Sequence, residues 1–376
     1  MTLLLPGRKT HEHYMRMALS FALRGTGCVS PNPRIGCVIV DYSDTADGRM
    51  VSWGYHRRFG GPHAEAEALK KAGGAARGCT VYVNLEPCCH TGKTPPCCDA
   101  LIEAGVSRVV TGMLDPNPLV GGGGKAKLEA AGIEFIDGVL EGECRWLNRG
   151  FIHSMTLGRP WVTAKAALSL DGDIALENGE SKWISGPLAR KRAHLMRAEN
   201  DAVMVGVGTI IRDDPMLTVR EVDGKSPIKI VVDKYLDTPP DAKVLNHGGC
   251  VFLTGQHADE EREKRLIARG AKVIRRTMDD TQRIPAVEML RELKSLGVNH
   301  LLIEGGGKLI GSFIASGTVD EYSLFIAPRV LGKGLRISDN IVFKHMEETI
   351  SMRQVRLRRI GDDIWFEGLP TCSPVL

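Results

Sequence analysis

Five residues spread over 35 positions most strongly limit how this chain can fold. His63-Ala-Glu65 is followed by Pro87-Cys88 and, nine residues further along, by Cys97. One neutral imidazole and two thiolates can hold a zinc ion tetrahedrally and leave its fourth position for water. We therefore expect the segments that carry His63, Cys88 and Cys97 to meet in one pocket.

The same pattern gives Glu65 a separate task. A motif of the form H-x-E followed by P-C-x-x-C is typical of zinc deaminases, in which the glutamate is a general acid and base and not a ligand. This chain departs from that form, because eight residues, Cys89 to Pro96, separate its two cysteines. Zinc lowers the pKa of a bound water toward neutrality. Glu65 can take a proton from that water and later deliver it to a ring nitrogen and to the departing ammonia. Cys97 opens a predicted helix, whose dipole and free N–H groups favour the thiolate.

Two alternatives to this catalytic site remain open. A closed zinc site could use four thiolates, those of Cys88, Cys89, Cys97 and Cys98. Adjacent cysteines on a helix diverge by about 100°, however, and a closed site leaves the His63 and Glu65 pattern unexplained. The cysteines could also be unligated core residues.

Cysteine usage separates the two halves of the chain. Of the ten cysteines, eight fall in the first 150 residues. In a large intracellular chain, such a cluster indicates metal binding or catalysis more often than a disulfide framework. Only Cys88 and Cys97 are assigned to a metal here, so we expect the other six in this half to be packing residues.

Length and composition indicate a soluble protein with two domains. The 376 residues are 43% hydrophobic and 25% charged, and domains usually contain about 100 to 200 residues. The net charge of +4 is small for a protein that binds nucleic acid through its phosphates. No apolar run approaches the ~18 residues of a membrane span, and Met1 to Pro6 is too short for a signal peptide. We therefore expect a cytoplasmic protein.

Hydrophobic patterns predict α/β structure in both halves. Residues 1–150 are predicted to form a sheet with interleaved helices, in which the polar stretch from Tyr42 to Gly48 joins two strands as a hairpin. After Pro160, strands alternate with helical segments, which favours a largely parallel sheet. The stretch from Trp146 to Pro160 has no strong periodicity. We place the domain boundary there and divide the chain into 1–150 and 151–376.

Two glycine-rich segments differ in their fit to phosphate-binding motifs. Gly121 to Lys125 does not match G-x-x-x-x-G-K-[ST], because Leu119 and Ala126 replace required residues, and a flexible loop before a helix is the prediction. Ile303 to Lys308 is a strand that ends in glycines before a helix, where backbone N–H groups can approach a pyrophosphate. A plain strand-to-helix turn would look similar, so the residues alone leave cofactor binding open.

Longer stretches of the sequence resemble one enzyme family. The run Glu86-Pro-Cys-Cys-His-Thr-Gly-Lys-Thr-Pro-Pro-Cys97, with Pro31-Asn-Pro-Arg-Ile-Gly-Cys37 and Gly54-Tyr-His56 upstream, closely resembles the bacterial bifunctional deaminase/reductase of riboflavin biosynthesis. The reductase domain of that family is matched in order by Lys165 to Gly172, Gly179 to Ile184, Leu217 to Arg220 and Glu304 to Gly307. The similarity extends over essentially the whole chain.

The resemblance implies a fold and an activity for each half. The fold class is α/β, with an N-terminal cytidine-deaminase-like α/β/α domain and a C-terminal dihydrofolate-reductase-like α/β domain. The first domain is expected to deaminate 2,5-diamino-6-(5-phosphoribosylamino)pyrimidin-4-one hydrolytically with one zinc ion. The second is expected to reduce the ribosyl group of 5-amino-6-(5-phosphoribosylamino)uracil to ribityl with NADPH. The expected partner is therefore a phosphorylated pyrimidine, with no nucleic acid or membrane, and the chain is expected to form a homo-oligomer.

The resemblance also implies roles for individual residues. His63, Cys88 and Cys97 would be the zinc ligands and Glu65 the proton shuttle. Deaminase substrate contacts are implied for Asn32, His56, His90, Lys93 and Thr94. NADPH contacts are implied for Ala167, Trp183, Thr209, Asp213, Gly306, Gly307, Lys308, Leu309, Ile310, Gly311 and Ser312. Reductase substrate contacts are implied for Lys165, Ser181, Arg197, Leu217, Arg220 and Glu304.

The physical chemistry of these residue types agrees with the implied roles in the reductase half. Arg197 and Arg220 can supply charge-assisted hydrogen bonds to a 5′-phosphate, and the Glu304 carboxylate can fix a pyrimidine ring. Lys165 and Asp213 are candidates for positioning or proton delivery. An ion-paired structural lysine and a helix-capping aspartate are the alternatives for those two residues.

Overall fold

Two units follow one another along the sequence. The structure is a computed structural model that describes residues 8–90, 95–117, 121–338 and 341–374. The first unit ends at Gly158 and the second begins at Arg159. The expected boundary after residue 150 lies within the helix Arg149–Thr156. The apolar periodicity of this helix is weak in the sequence because its buried residues include Gly150, His153 and Ser154.

In the first unit, helices and strands alternate around one sheet. The strands are Gly36–Asp41 (β1), Arg49–Tyr55 (β2), Thr80–Val83 (β3), Arg108–Thr111 (β4) and Glu134–Ile136 (β5). The helices are Arg8–Ala22 (α1), Ala64–Ala72 (α2), Cys97–Ala104 (α3), Gly123–Ala130 (α4), Glu141–Leu147 (α5) and Arg149–Thr156 (α6).

The strand directions bring the segments after β2, β3 and β4 to one edge of this sheet. The strand order is β2-β1-β3-β4-β5, in which β1 is antiparallel to both its neighbours and β3, β4 and β5 are parallel. The carboxyl ends of β2, β3 and β4 therefore lie at the same edge. The predicted hairpin between β1 and β2 is confirmed. His63 follows β2 and Cys88 follows β3, so the topology alone places both near this edge.

A glycine lets helix α2 lie directly on strand β2. A Cβ atom at Gly54 would lie 2.3 Å from the backbone oxygen of Ala64 and 2.7 Å from the backbone nitrogen of Ala68. Any larger side chain would push the helix away from the sheet. The close approach fixes the start of α2, where His63 and Glu65 are located.

The second unit is a larger α/β structure. Its strands are Trp161–Leu168 (β6), Asp173–Leu176 (β7), Ala202–Gly206 (β8), Ile228–Val232 (β9), Cys250–Gly255 (β10), Lys272–Arg276 (β11), His300–Glu304 (β12), Glu321–Ile326 (β13), Gly334–Arg336 (β14), Met352–Ile360 (β15) and Asp363–Pro370 (β16). Its helices are Pro187–Glu199 (α7), Val207–Asp213 (α8), Glu260–Ala268 (α9), Ala286–Ser295 (α10) and Gly307–Ala315 (α11).

Most of the large sheet is parallel, as predicted. The strand order is β11-β10-β9-β8-β12-β6-β13-β16-β15. Neighbours from β11 to β13 are parallel, and only the pairs that involve β16 and β15 are antiparallel. The carboxyl ends of β6, β8 and β12 consequently share one edge, which in open parallel sheets is where ligands bind.

Each unit has hydrophobic clusters of its own. In the first unit they form around buried strand residues such as Ile39 and Val81, and in the second around residues such as Leu301 and Phe252. The predicted packing role of the remaining cysteines is confirmed for Cys37, Cys79, Cys98 and Cys144, which are buried, but is wrong for Cys28, which is exposed. Within the described ranges, no helix combines the length and the hydropathy needed to cross a membrane.

Candidate functional site

His63, Cys88 and Cys97 meet in the first unit, as their pattern predicts. The Nδ1 atom of His63 lies 3.2 Å from Sγ of Cys97 and 3.5 Å from Sγ of Cys88, and the three atoms lie within 4.8 Å of one another. His63 immediately precedes α2, Cys97 is the first residue of α3, and Cys88 lies on the loop between β3 and α3. The edge of the sheet therefore gathers ligands from separate parts of the chain.

The spacing of these atoms fits a tetrahedral zinc ion. Bonds of about 2.0–2.1 Å to nitrogen and about 2.3 Å to sulfur place ligand atoms about 3.5–3.8 Å apart. The two nitrogen–sulfur separations, 3.2 Å and 3.5 Å, are slightly shorter than or equal to this spacing, so a cation requires only a small shift of His63 relative to the thiols. The thiols share a hydrogen bond, which lowers the pKa of Cys88 and, together with burial, raises that of Cys97. A bound cation would take the place of the shared proton.

Glu65 lies beside the three ligands and is 3% exposed. Its Oε2 atom has no hydrogen-bond partner among the described residues. Burial raises the pKa of Glu65 above its ordinary value of 4.5, with the nearby thiol of Cys88 adding to the effect and His63 opposing it. A buried carboxylate with a free oxygen is costly for stability, and such groups concentrate at sites that use them chemically.

The alternative of a closed four-thiolate site does not fit the observed geometry. Cys98 Sγ is buried and donates to the backbone oxygen of Pro87 at 3.3 Å, and burial raises its pKa to about 12. Cys89 packs against the core instead, where its Sγ would lie 2.9 Å from a Cβ atom at Gly123. Among the described residues, the group placed to hold a metal consists of His63, Cys88 and Cys97.

Asn32 and His56 stand next to the ligands, whereas His90 is exposed. The amide Nδ2 of Asn32 is 3.1 Å from Nε2 of His56, and Nδ1 of His56 is 2.9 Å from the backbone oxygen of Pro62. A carbonyl oxygen can only accept, so Nδ1 carries the hydrogen and Nε2 accepts from Asn32. Burial lowers the pKa of His56, which favours this neutral form. The rings of His56 and His63 are 5.6 Å apart.

Two of the expected deaminase substrate contacts cannot be compared with the structure. Lys93 and Thr94 lie outside the described residues. His90, the residue nearest to them among the expected contacts, is on the exposed side of the loop that precedes α3.

Glu86 is a structural residue of this site for which no role was predicted. It is 5% exposed, and its carboxylate accepts backbone N–H groups of Asp115 and Gly122 through Oε2 and of Lys125 through Oε1, at 2.9–3.0 Å. The loop between β4 and α4 is thereby tied to the residue that precedes Pro87 and Cys88. Burial raises the pKa of the adjacent Asp115, and the charges of Glu86 and Cys88 add to that effect.

The glycine-rich run beside Glu86 is partly helical. We predicted a loop up to Lys125, but helix α4 begins at Gly123. Gly124 is buried, and a Cβ atom there would lie 2.2 Å from the backbone oxygen of Pro87. The glycines therefore permit α4 to pack closely against the loop that carries Pro87 and Cys88. A comparison of the sequence with the phosphate-binding motif could not reveal this packing role.

In the second unit, Arg197 and Glu304 form a buried ion pair. Arg197 Nε donates to Oε1 and Nη2 to Oε2 of Glu304, both at 2.7 Å, and Nη1 donates to the backbone oxygen of Thr218 at 3.2 Å. Burial by itself would raise the pKa of Glu304, but the charges of Arg197 and Lys165 outweigh it and lower the pKa to about 2. The pair is therefore charged at neutral pH, and it links α7, β12 and the segment after α8.

Lys165 faces the same cluster from the adjacent strand. It is directly opposite Glu304 in the register of β6 and β12, and its Nζ lies 5.7 Å from the centre of the Phe325 ring. Burial lowers the pKa of Lys165 below its usual 10.5, although Glu304 opposes this effect. The arrangement accommodates both alternatives for Lys165, a structural ion pair and a residue that positions a ligand.

A glycine turn before α11 lies at the same edge of the large sheet as Arg197, Glu304 and Lys165. Gly305 and Gly306 have φ angles of +76° and +62°, which residues with a side chain rarely adopt. A Cβ atom at Gly305 would be 3.1 Å from Oγ1 of Thr209 on α8. No side chain caps the start of α11 in the described residues. The N–H groups of Leu309 and Ile310 donate to the backbone oxygen of Gly306, which leaves those of Gly307 and Lys308 to an anion. Backbone donors at a glycine turn suit the pyrophosphate of a dinucleotide.

The remaining expected cofactor contacts lie on other segments of the second unit. Trp183 is 61% exposed, with its ring 4.6 Å from Cζ of Arg190 and its backbone oxygen accepting from Arg329. Lys182 Nζ is 3.8 Å from Oδ1 of Asp213, at the carboxyl end of α8. Ala167 on β6 and Ser312 on α11 are half-buried. Ser181, an expected contact of the substrate, is half-buried before α7.

Leu217 and Arg220 lie on the segment that Arg197 contacts. Leu217 is buried with a φ angle of +55°, and Arg220 is exposed. An open cleft of about 480 Å³ is lined by Lys191, Arg220, Glu221, Val222 and Asp223. The backbone N–H of Arg220 donates to Nδ1 of His194 on α7, a residue for which the sequence suggested no role.

Two family models match the chain in the order of its two units. Residues 8–113 match the cytidine and deoxycytidylate deaminase zinc-binding region, and residues 160–366 match the RibD C-terminal domain. These matches assign a zinc-binding deaminase domain to the first unit and a reductase domain to the second.

Similar proteins match over nearly their whole lengths. The riboflavin biosynthesis protein RibD of Aquifex aeolicus (strain VF5) is 42% identical over 358 residues, which are 95% of this chain and 98% of the relative. That of Escherichia coli (strain K12) is 39% identical over 370 residues, which are 94% of this chain and 97% of the relative.

Solved structures give the same result. Acinetobacter baumannii RibD (form 1) has a TM-score of 0.87 at 36% identity and covers 97% of this chain and 100% of its own. The diaminohydroxyphosphoribosylaminopyrimidine deaminase/5-amino-6-(5-phosphoribosylamino)uracil reductase from Thermotoga maritima has a TM-score of 0.83 at 34% identity and covers 96% of this chain and 99% of its own. The expected fold class, cytidine-deaminase-like and then dihydrofolate-reductase-like, is confirmed.

Proposed function

Because this chain belongs to the RibD family and is a bifunctional deaminase and reductase of riboflavin biosynthesis, we propose that its two units act in succession on one phosphorylated pyrimidine. The first substrate is 2,5-diamino-6-(5-phosphoribosylamino)pyrimidin-4-one, which loses its 2-amino group to water. The second is the deaminated product, 5-amino-6-(5-phosphoribosylamino)uracil, whose ribosyl group becomes ribityl. The observation that carries the deaminase half of the proposal is the cluster of His63, Cys88 and Cys97 beside buried Glu65.

In the deaminase step, Glu65 moves the protons. Zinc, when bound by His63, Cys88 and Cys97, supplies a Lewis acid that makes water a nucleophile at neutral pH. Glu65 Oε2, which has no partner among the described residues, accepts the proton of the attacking water. The same carboxyl donates this proton to the ring nitrogen. It then takes the second proton, from the hydroxyl group that water has added to the ring carbon, and delivers it to the amino group, which leaves as ammonia. Because burial raises its pKa, Glu65 is suited both to hold and to release this proton.

Asn32 and His56 bind and orient the pyrimidine beside these ligands. The hydrogen bond between their side chains and the anchor to Pro62 hold them in a fixed orientation, which lowers the entropic cost of reaching the reactive geometry. His90, Lys93 and Thr94 complete the proposed contacts to the substrate and its phosphoribosyl group.

In the reductase step, the chain aligns a sugar with a nicotinamide. NADPH supplies the hydride when it is bound. Its pyrophosphate would lie at the glycine turn before α11, from Gly306 to Ser312, and its other contacts would be Ala167, Trp183, Thr209 and Asp213. The uncapped N–H groups of Gly307 and Lys308 at the start of this helix support the assignment.

The substrate of the reductase step is held by charges at the same edge. Glu304 fixes the pyrimidine, and Arg197 and Arg220 donate to the 5′-phosphate. Arg197 also holds Glu304 in place. Lys165 lies opposite Glu304 and positions the sugar. Ser181 and Leu217 form the remaining proposed contacts.

One experiment tests both steps. Purified zinc-loaded enzyme is incubated with the diaminopyrimidine, with and without NADPH, and the products are analysed by mass spectrometry. We expect replacement of the amino group by oxygen without NADPH, and a gain of two further hydrogens with it. A product that gains hydrogen but keeps its amino group would contradict the order of the steps. Unchanged substrate in both samples would contradict the proposed substrate.

Location and partners belong to the same proposal. A cytoplasmic homo-oligomer that binds neither nucleic acid nor membrane is expected. Light scattering of the purified chain and ammonia release from free substrate against RNA test these expectations. Release of ammonia from RNA alone would favour a polynucleotide deaminase.

A further inference from the structure

His194 is a buried histidine at the reductase site that none of the roles above uses. It lies on α7, three residues before Arg197, and is 5% exposed. Residues three apart on a helix are neighbours on one face. His194 therefore lies on the face of α7 that carries the Arg197–Glu304 pair.

Its hydrogen bond fixes which ring nitrogen carries the proton. The backbone N–H of Arg220 points to Nδ1 of His194, with 3.3 Å between the nitrogens. A backbone N–H can only donate, so Nδ1 must accept and carry no hydrogen. In the neutral ring the hydrogen is then on Nε2, which lies 3.7 Å from Oε1 of Glu221.

The charges that face His194 come from three elements. Arg197 lies on its own helix, Arg220 and Glu221 lie on the segment after Leu217, and Glu304 lies at the end of β12. Burial lowers the pKa of His194, the two arginines act in the same direction, and the two glutamates oppose them. The imidazole is thus neutral at neutral pH, as its hydrogen bond requires.

We propose that neutral His194 is a positioning residue that holds Arg220 and the segment after Leu217 beside Arg197 and Glu304, and that protonation of Nδ1 releases this segment. The inference rests on the proposed function, because it assumes that Arg220 contacts the phosphate of the reductase substrate. His194 itself does not touch the reacting atoms. Its effect is transmitted through the backbone of Arg220.

The physical reason is a change from acceptor to donor. Once protonated, Nδ1–H would face the N–H of Arg220, so two donors would oppose each other, and the new positive charge would face two arginines. The segment would move away, and its contact with the substrate phosphate would weaken. Acid should therefore raise the KM for the pyrimidine more than it lowers kcat, while leaving the deaminase step of the same chain unaffected by this residue.

The test compares H194N with the wild type. The Oδ1 atom of asparagine can occupy the position of Nδ1 and accept the same hydrogen bond, but it does not titrate. The KM and kcat of the reductase step are measured on the full chain with NADPH and the deaminated substrate, between about pH 5 and pH 8. We expect the ratio of the wild-type KM to the H194N KM to rise as the pH falls. The substrate phosphate also titrates near pH 6, but it affects both enzymes equally and cancels in this ratio.

Two further variants complete the design. H194A removes the acceptor and should raise the KM about three- to tenfold at pH 8, the effect of one lost hydrogen bond. H257N makes the same exchange at an exposed histidine outside the site and should match the wild type throughout. Thermal unfolding and the deaminase rate of each variant show whether it is folded.

The outcomes separate this inference from the function on which it rests. A KM ratio that stays constant with pH, in folded H194N, overturns the role of His194 while the reductase function stands. If H194A does not fold, the pH dependence of the KM of H194N still tests the role of His194. A wild-type enzyme that reduces nothing at pH 8 overturns the proposed function and this inference with it.

Discussion

At the scale of single residues, buried charges show where stability is given up for chemistry. Glu65 keeps one oxygen without a partner among the described residues, and burial raises its pKa. Glu304 is also buried, but Arg197 satisfies both of its oxygens. The unpartnered oxygen of Glu65 is suited to accepting a proton. The paired carboxylate of Glu304 is suited to holding a ligand in a fixed orientation.

Replacing Glu65 should separate catalysis from metal binding. In E65Q, an amide that cannot accept the proton of water takes the place of the carboxylate. The deaminase kcat should fall by about 100-fold or more, the range typical of general acid–base groups. Zinc content by atomic absorption should stay the same, because Glu65 is not a ligand, and the reductase rate of the same chain serves as control. A variant with unaltered deaminase turnover would favour a zinc-stabilised scaffold.

The ion pair at Glu304 should make the second unit sensitive to acid. Its pKa of about 2 in the folded chain lies below the ordinary 4.5, so its contribution is complete above pH 4.5 and is lost as the pH falls toward 2. The shift corresponds to stability on the order of 3 kcal/mol. E304Q should be less stable at neutral pH, because Arg197 stays buried without its partner, and its stability should depend less on pH in this range. Urea unfolding at several pH values measures the stability of E304Q and its dependence on pH. If stability changed with pH by the same amount in E304Q and the wild type, the expectation would be contradicted.

At the scale of elements, both sites are built where loops and helix starts follow parallel strands. His63 and Cys97 stand at the starts of α2 and α3, and the glycine turn from Gly305 stands at the start of α11. Within each unit, strand direction brings the helix starts of that unit's own site to one edge of its sheet, and glycines allow the helices to lie close to their neighbours. Substitutions in these loops and helix starts can therefore test the packing of a site through its stability, without replacing a residue that takes part in the reaction.

The loop held by Glu86 should loosen when its carboxylate is neutralised. In E86Q, an amide NH₂ replaces one of the two oxygens that accept N–H groups from Asp115, Gly122 and Lys125. We expect a loss of about 1–3 kcal/mol in the stability of the first unit, because buried donors are left unpaired. Hydrogen exchange at these three amides should accelerate. E129Q, at an exposed position of α4, is the matched control and should exchange like the wild type.

Helix α11 should not tolerate a side chain at its first residue. A Cβ atom at Gly307 would lie 2.0 Å from the backbone oxygen of Arg336, and overpacking of this kind costs about 1–3 kcal/mol. G307A should lower the melting temperature and weaken NADPH binding, as followed by cofactor fluorescence. G208A adds the same methyl group on α8, where a Cβ atom meets no atom within 4 Å. Equal behaviour of the two variants would contradict the steric argument.

At the scale of the whole molecule, each unit has its own hydrophobic clusters and its own chemistry. The clusters of the first unit are formed within residues 14–152 and those of the second within residues 162–365. The division between Gly158 and Arg159 thus separates two structures that can each bury a core.

Chelation should therefore affect the two units unequally. Removal of zinc leaves the three ligand atoms of the first unit crowded and partly protonated, so the unfolding transition of that unit should shift to lower temperature. The transition of the second unit and its reductase rate should not change. Calorimetry with and without a chelator, followed by restoration with added zinc, measures this effect. A single transition that shifts as a whole would show that the two units unfold together.

Much of the fold could be predicted from the sequence. Some elements have local sequence patterns, and others follow from the resemblance to a family over essentially the whole chain. The sequence predicts the hairpin around Tyr42 to Gly48, the helix Cys97–Ala104 and the largely parallel sheet of the second half, and the structure contains all three. The helix at Arg149–Thr156 escaped prediction because small and polar residues form part of its buried face. The roles of Glu86 and His194 escaped it because their partners are backbone N–H groups, which every residue but proline has.

The chemistry expected of this protein follows from its residue types, because the identity of a ligand or a base is a property of the side chain. His63, Cys88, Cys97 and Glu65 could be assigned to a zinc-dependent deaminase from pattern and resemblance alone. The arrangement of these groups, by contrast, depends on the tertiary structure. It excluded Cys98 from the ligands by turning its thiol to Pro87, paired Arg197 with Glu304, and left Nδ1 of His194 as an acceptor. Distance, burial and hydrogen-bond direction arise between segments far apart in the chain, so no local pattern carries them.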